Sequence, residues 1–185
     1  MKRAPAIFIG HGSPMNAIEN NAFSRRWSEI GREIERPNAI LSVSAHWFTD
    51  GTRVSNVPVN RTIHDMYGFP EELYRVRYDA PGAPDIANEA LALLEGTAVA
   101  DGTWGLDHGT WSVLRHLYPS ADVPVFQVSV NANAALSEHL TLGQRLAPLR
   151  EKGVMIFGSG NVVHHLGMVN WQTPGGFAWA DSFDH

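Results

Sequence analysis

Short apolar runs alternate with amphipathic stretches along this chain, and no other feature limits its fold so much. Residues 6–9, 39–45, 123–130 and 154–157 read as strands, each a brief apolar run bounded by turn or helix signals. Helical patterns lie between them. Phe23, Trp27, Ile30 and Ile34 recur at spacings of 4, 3 and 4, one face of a helix that must stop before Pro37. Residues 84–95 open on Pro84 and are followed by Gly96, the asymmetry expected of helix ends. Residues 136–149 form a further helix that Pro148 ends or kinks. Residues 52–59 suit an edge strand, and 67–70 and 81–84 read as turn and loop. Strands alternating with helices pack as layers. The expected fold is therefore α/β, a single domain whose central sheet, largely parallel or mixed, is flanked by helices.

The chain has 185 residues and no cysteine, which removes disulfides, Cys-ligated zinc, iron–sulfur clusters and a Cys nucleophile. Lys and Arg number 14 against 19 Asp and Glu, and no basic run is present, so no nucleic-acid partner is expected. No apolar run approaches the ~20 residues of a membrane helix, and no secretory signal is visible. A soluble cytoplasmic protein without a membrane partner is expected. The P-loop and HExxH patterns are absent. The nucleophile-elbow pattern fails because Phe157 stands two residues before Ser159. Histidine, by contrast, occurs 9 times. Without cysteine, a transition-metal site in this chain has to use imidazole and carboxylate.

Three of those histidines follow strands. His11 comes after 6–9 in Gly10-His11-Gly12-Ser13-Pro14-Met15. His46 closes 39–45 in Ser44-Ala45-His46-Trp47, and His164 follows 154–157 in Ser159-Gly160-Asn161-Val162-Val163-His164. Ligands of open parallel sheets bind beyond the carboxyl ends of the strands. If these strands are parallel neighbours, the three imidazoles converge. Read singly, each is as well explained as a hydrogen-bonded loop residue. A fourth candidate is His108, in Trp104-Gly105-Leu106-Asp107-His108-Gly109-Thr110-Trp111, where Asp107 or Thr110 can cap the helix over 111–117. His64 is a weaker candidate, His116 reads as packing or surface, His139 as solvated, His165 as structural, and His185 is terminal.

These four segments, in this order and spacing, resemble the class III extradiol ring-cleavage dioxygenases. The resemblance is specifically to the 4,5-DOPA dioxygenase extradiol-like branch, related to the protocatechuate 4,5-dioxygenase β subunit. The likeness runs from about residue 5 to 185. It implies His11 and His46 as metal ligands. It implies His164 as catalytic base, a position that in this branch can also enter the metal's own shell. It implies His108 as a second active-site histidine that positions or protonates substrate or oxygen. Iron(II) is the implied metal, with zinc(II) possible in the same site, and the implied partners are a catechol and O2. Trp47 and Phe48 are candidates for the pocket wall or the core.

The resemblance also implies one further ligand, a His or a Glu, from a C-terminal segment. Residues 177–185 look like the start of a helix without a stop signal. The 185 residues are therefore expected to be one extradiol-dioxygenase-like domain lacking that segment. Two other readings stand beside this one: a zinc hydrolase on the same scaffold, and a non-catalytic metal-binding interaction protein of the Memo-like kind.

Overall fold

The computed structural model describes residues 3–168, 172 and 175–184. Its strands are β1 (Ala6–Gly10), β2 (Ala39–Ser44), β3 (Phe48–Thr49), β4 (Thr52–Ser55), β5 (Ala98–Asp101), β6 (Val125–Gln127), β7 (Val130–Asn131) and β8 (Val154–Gly160). Its helices are α1 (Ala22–Glu33), α2 (Glu71–Tyr74), α3 (Pro84–Leu93), α4 (His108–Leu117), α5 (Leu136–Leu146) and α6 (Ala178–Asp184). The central sheet runs β1-β8-β2-β6, and every pair in it is parallel. Among the described residues, no helix is long and apolar enough to cross a membrane.

Alternation along the strands feeds two cores. Ile40, Met155, Phe157 and Ile9 face one side of the sheet, where they meet Trp27 of α1 and Trp111, Leu114 and Leu117 of α4. Ala39, Leu41, Val154 and Phe126 face the other side, against Ala87 and Ala90 of α3 and Leu146 of α5. A sheet covered on both faces by helices is the layer arrangement expected of parallel strands.

Local chemistry accounts for the helix ends. Asn21 caps α1, accepting from the backbone N–H groups of Phe23 and Ser24, while Ser24 Oγ accepts in return from the Asn21 N–H. Ile34 has already turned to extended backbone (ψ 131°) ahead of Pro37. The inward face of α1 is carried by Trp27 and Ile30 and continued by Ile34 just past its end, whereas Phe23 in the first turn is 64% exposed. Gly31 lets α1 lie directly on α4, because a Cβ there would sit 2.2 Å from the Leu117 carbonyl oxygen. Pro148 ends α5 as expected, and a 3-10 turn over Ala147–Lys152 carries the chain into β8.

The structure differs from the sequence reading at three places. The run 123–130 is not one strand. It leaves the central sheet after Gln127, and Val130 pairs instead with Phe48 in a small side sheet. The 52–59 strand ends at Ser55 and is completed by β5, a partly exposed strand that periodicity did not mark. Residues 71–74, between the expected turns, form the short helix α2.

A buried polar chain ties α4 to the sheet. Thr110 donates to Gln127 Oε1 at 3.1 Å, Ser42 therefore donates to Thr110 at 2.9 Å, and Gln127 Nε2 donates to the Gly105 carbonyl at 3.0 Å. Each member is fully or almost fully buried, so each needs its partner. This chain holds the first turn of α4 over the carboxyl ends of β2 and β6.

Candidate metal centre

The parallel order brings β1, β8 and β2 side by side, so the loops that leave their carboxyl ends meet. His11 leaves β1 and His46 leaves β2. Their Nε2 atoms face each other at 3.1 Å. His108, the first residue of α4, joins them, with its ring centroid 3.9 Å from that of His46 and 5.3 Å from that of His11. Ring nitrogens of these three residues all lie within 4.8 Å of one another.

Each loop is anchored separately. The His11 carbonyl accepts from Asn16 Nδ2 at 3.0 Å, and the Gly12 N–H donates to Asn161 Oδ1 at 3.0 Å. Ser44 Oγ accepts the His46 N–H and donates to Asp107 Oδ1 at 2.6 Å. Asp107 is fully buried, caps α4 through Thr110 N and accepts from Trp104 Nε1. Burial pushes its carboxyl up, against the hydrogen bonds from Ser44 and Trp104. Asp65 accepts the His108 backbone N–H at 2.8 Å on Oδ1 and His108 Nδ1 at 2.9 Å on Oδ2. Burial pushes Asp65 up, but the contacts with His108 prevail and hold its carboxyl below the usual range. Both carboxylates stand at the N-terminus of α4, where the helix dipole favours negative charge.

Hydrogen bonding sets the tautomer of His11. Ser159 Oγ has one proton, and it donates that proton to the Gly109 carbonyl at 2.5 Å. The same oxygen must therefore accept from His11 Nδ1–H at 3.0 Å. His11 Nε2 is thus an unprotonated lone pair aimed at His46. Burial, followed by the charges of His108, His46 and His164, lowers the His11 pKa to about 3. Burial, followed by the charge of His108, lowers that of His46 to about 4, although Asp65 pulls the other way. Both rings are neutral at pH 7. Two imidazole nitrogens this close need a proton or a cation between them, and neutral imidazoles are good ligands for a transition-metal cation. The donor set fits a metal.

The depressed values predict acid lability of the metal-free protein. The unfolded chain takes up a proton at each of these histidines near pH 6.5, the folded chain only near 3 or 4. Between those limits the unfolded state binds more protons, so stability falls as pH falls. For buried His11 the slope approaches ~1.4 kcal/mol per pH unit. Thermal melts of metal-free protein at pH 7 and pH 5 should show a clear drop. The drop should shrink in His11→Ala, and an unchanged pH slope in that variant would refute the assignment.

The other candidates are placed as follows. His164 is exposed beyond β8, outside the group of three, yet near enough that its charge acts on His11 and His46. His64 bonds the Val76 carbonyl at 3.2 Å, and His116 bonds the Asn16 carbonyl at 2.9 Å. His139 is half-buried on α5 and His165 is exposed, while His185 lies outside the described residues. Trp47 is buried with its ring parallel to Trp104, whereas Phe48 is 63% exposed. Sequence reasoning passed over Asp65. Its one local signal was its place beside His64, which did not set it apart from other acidic loop residues.

Comparison with known proteins bears on this geometry. Residues 5–185 match a family model described as the catalytic LigB subunit of aromatic ring-opening dioxygenase. A protein of Escherichia coli (strain K12) named 4,5-DOPA dioxygenase extradiol is 45% identical over 185 residues, 98% of this chain and 68% of that one. The protein of the same name from Beta vulgaris is 44% identical, over 96% of this chain and 69% of its own. The crystal structure of an uncharacterized protein from Escherichia coli K12 superposes with a TM-score of 0.84 at 42% identity. That match covers 98% of this chain and 70% of the other.

Proposed function

The chain belongs to the LigB family of aromatic ring-opening dioxygenases, and from that membership we propose that its substrate is a catechol such as L-DOPA, opened at the 4,5 bond. It is a metal-dependent extradiol ring-cleaving dioxygenase, an oxidoreductase. The named relatives are dioxygenases, which favours ring cleavage over the hydrolase and interaction-protein readings. The observation that supports the site is the opposition of two neutral Nε2 atoms, from His11 and His46, at 3.1 Å.

In this reading His11 and His46 hold iron(II). When bound, the metal supplies a Lewis-acid and redox centre at which a catecholate and O2 can meet. The residues of the chain do the rest. The Ser159 hydroxyl and Asn16 hold the His11 loop, so its lone pair is aimed before any ligand arrives. His164, exposed beyond β8, takes a proton from a catechol hydroxyl as substrate binds. His108 has Nδ1 occupied by Asp65, which keeps the Nε2 lone pair for a proton-bearing oxygen of the substrate; the proton held by His164 goes back to the product as the ring opens. One carbon–carbon bond beside the diol breaks, and both atoms of O2 enter the product. The reaction balances without an external reductant.

Oxygen uptake by protein loaded anaerobically with iron(II) and given L-DOPA tests this directly. We expect one O2 consumed per substrate, a yellow ring-opened product, and neither from zinc-loaded protein. His164→Ala should lose at least ~10²-fold in turnover. Absence of uptake across a panel of catechols would overturn the substrate class, and near-normal turnover in His164→Ala would remove that residue from the reaction.

A further inference from the structure

One carboxylate stands behind two of the three histidines. Asp65 Oδ2 lies 2.9 Å from His108 Nδ1 and 3.7 Å from His46 Nδ1, and its side chain is only 12% exposed. Oδ1 of the same group is committed to the His108 backbone N–H at 2.8 Å. We propose that Asp65 is the positioning residue of this centre, holding His108 as its Nδ1–H tautomer and steering His46, so that the Nε2 lone pair of His108 is left free toward its neighbours.

The argument is one of donors and acceptors. A carboxylate can only accept, so a ring nitrogen at 2.9 Å from it must carry the proton. In the neutral ring, Nε2 of His108 is then the lone pair. The double grip, on ring and on backbone of the same residue, also fixes where the ring stands at the start of α4. Asp65 comes from the loop 43 residues earlier in the chain, so neither its position nor its role follows from the α4 sequence. At 3.7 Å the contact with His46 is too long for a hydrogen bond, and it acts by charge, favouring the ring orientation that turns Nδ1 toward Asp65. Carboxylates behind metal-site imidazoles orient the ring and select its tautomer in just this way.

Asp65→Asn is a sharp test because it keeps the shape and changes one donor. The His108 backbone N–H is always a donor, so it claims the amide oxygen. The amide nitrogen then faces His108 Nδ1, which can answer only as an acceptor. The proton moves to Nε2, and the lone pair that faced the centre is lost. An Asp→Asn change behind a catalytic histidine in a serine protease costs about 10⁴ in kcat through the same tautomer reversal.

The inference rests on the cluster being the ring-cleaving centre, but its first readout does not need activity. In 15N-labelled, zinc-loaded protein, which is diamagnetic, long-range proton–nitrogen correlations report which ring nitrogen is protonated. We expect Nδ1–H at His108 in the parent protein and in Asp65→Glu, and Nε2–H in Asp65→Asn. Turnover of the iron-loaded Asn variant should fall at least ~10²-fold, with partial recovery in the Glu variant. Nε2–H at His108 in the parent, or an unchanged pattern in Asp65→Asn, overturns the proposal. The parent spectrum alone decides the tautomer, so a variant that fails to fold does not shelter the claim. Tautomer reversal in a protein that cleaves no catechol would uphold the role of Asp65 and refute the ring-cleavage reading instead.

Discussion

Replacing either His11 or His46 with alanine should leave a folded protein that no longer retains metal. Of the three imidazoles whose nitrogens lie together, these two face each other Nε2 to Nε2. Removing one leaves the other with a single lone pair and no opposing donor at 3.1 Å. Loss of an outer hydrogen-bond partner costs metal sites ~10–100-fold in affinity, and loss of a ligand atom itself must cost more. Folding should survive, because both residues belong to loops beyond the strand ends rather than to either hydrophobic cluster. His11→Ala also removes a buried imidazole that resists protonation, so the metal-free variant should be less sensitive to acid than its parent. Metal content measured after gel filtration is the check. Stoichiometric iron or zinc in both variants would sink the site assignment.

Gly109→Ala should disable the centre without removing any group that carries chemistry. A Cβ at Gly109 would stand 2.6 Å from Ser44 Oγ and 2.9 Å from His46 Cδ2. Neither neighbour can move cheaply. Ser44 is held between the His46 N–H and Asp107, and His46 Cδ2 is bonded to the Nε2 that faces His11. The added methyl therefore pushes the His46 ring off its line. Overpacking of this kind costs ~1–3 kcal/mol of stability. The effect on function should be larger, since a misplacement of ~1 Å in a reacting centre can cost 10²-fold in rate. We expect turnover to fall at least that far, metal to bind more weakly, and melting to shift only moderately. Wild-type turnover with an unshifted melting temperature would mean that α4 slides to accept the methyl.

Much of this architecture is legible in the sequence because it is set locally. The apolar runs at 6–9, 39–45 and 154–157 become β1, β2 and β8, and the 4, 3, 4 spacing becomes α1, since periodicity is a property of neighbours along the chain. Asp107 caps α4, one of the two caps the sequence allowed. Most of what went unread lies between residues 50 and 82 and at 98–101, where loops and short elements carry little periodicity. There α2 is one turn long, and β5 is four residues with no fully buried side chain, so neither leaves an apolar pattern. The run 123–130 looked continuous because Val recurs at 123, 125, 128 and 130 around Phe126, although Pro124 marks its true start and β6 begins at Val125. Its break depends on Val130 finding Phe48 across the fold, a choice that no local signal records.

The candidate site divides along the same line. Sequence alone determined the α/β class, placed His11 and His46 at strand ends, put His108 beside a helix cap, and excluded thiolate chemistry. Tertiary structure decided which imidazoles lie within reach of one another, bringing His108 against His11 and His46 while His164 stays exposed outside that group. It also brought Asp65 to His108 across 43 residues and Ser159 to His11 across 148. Hydrogen bonds of that range are set by the order of strands in the sheet. Strand order is a property of the packed whole, which the spacing of residues along the chain does not carry.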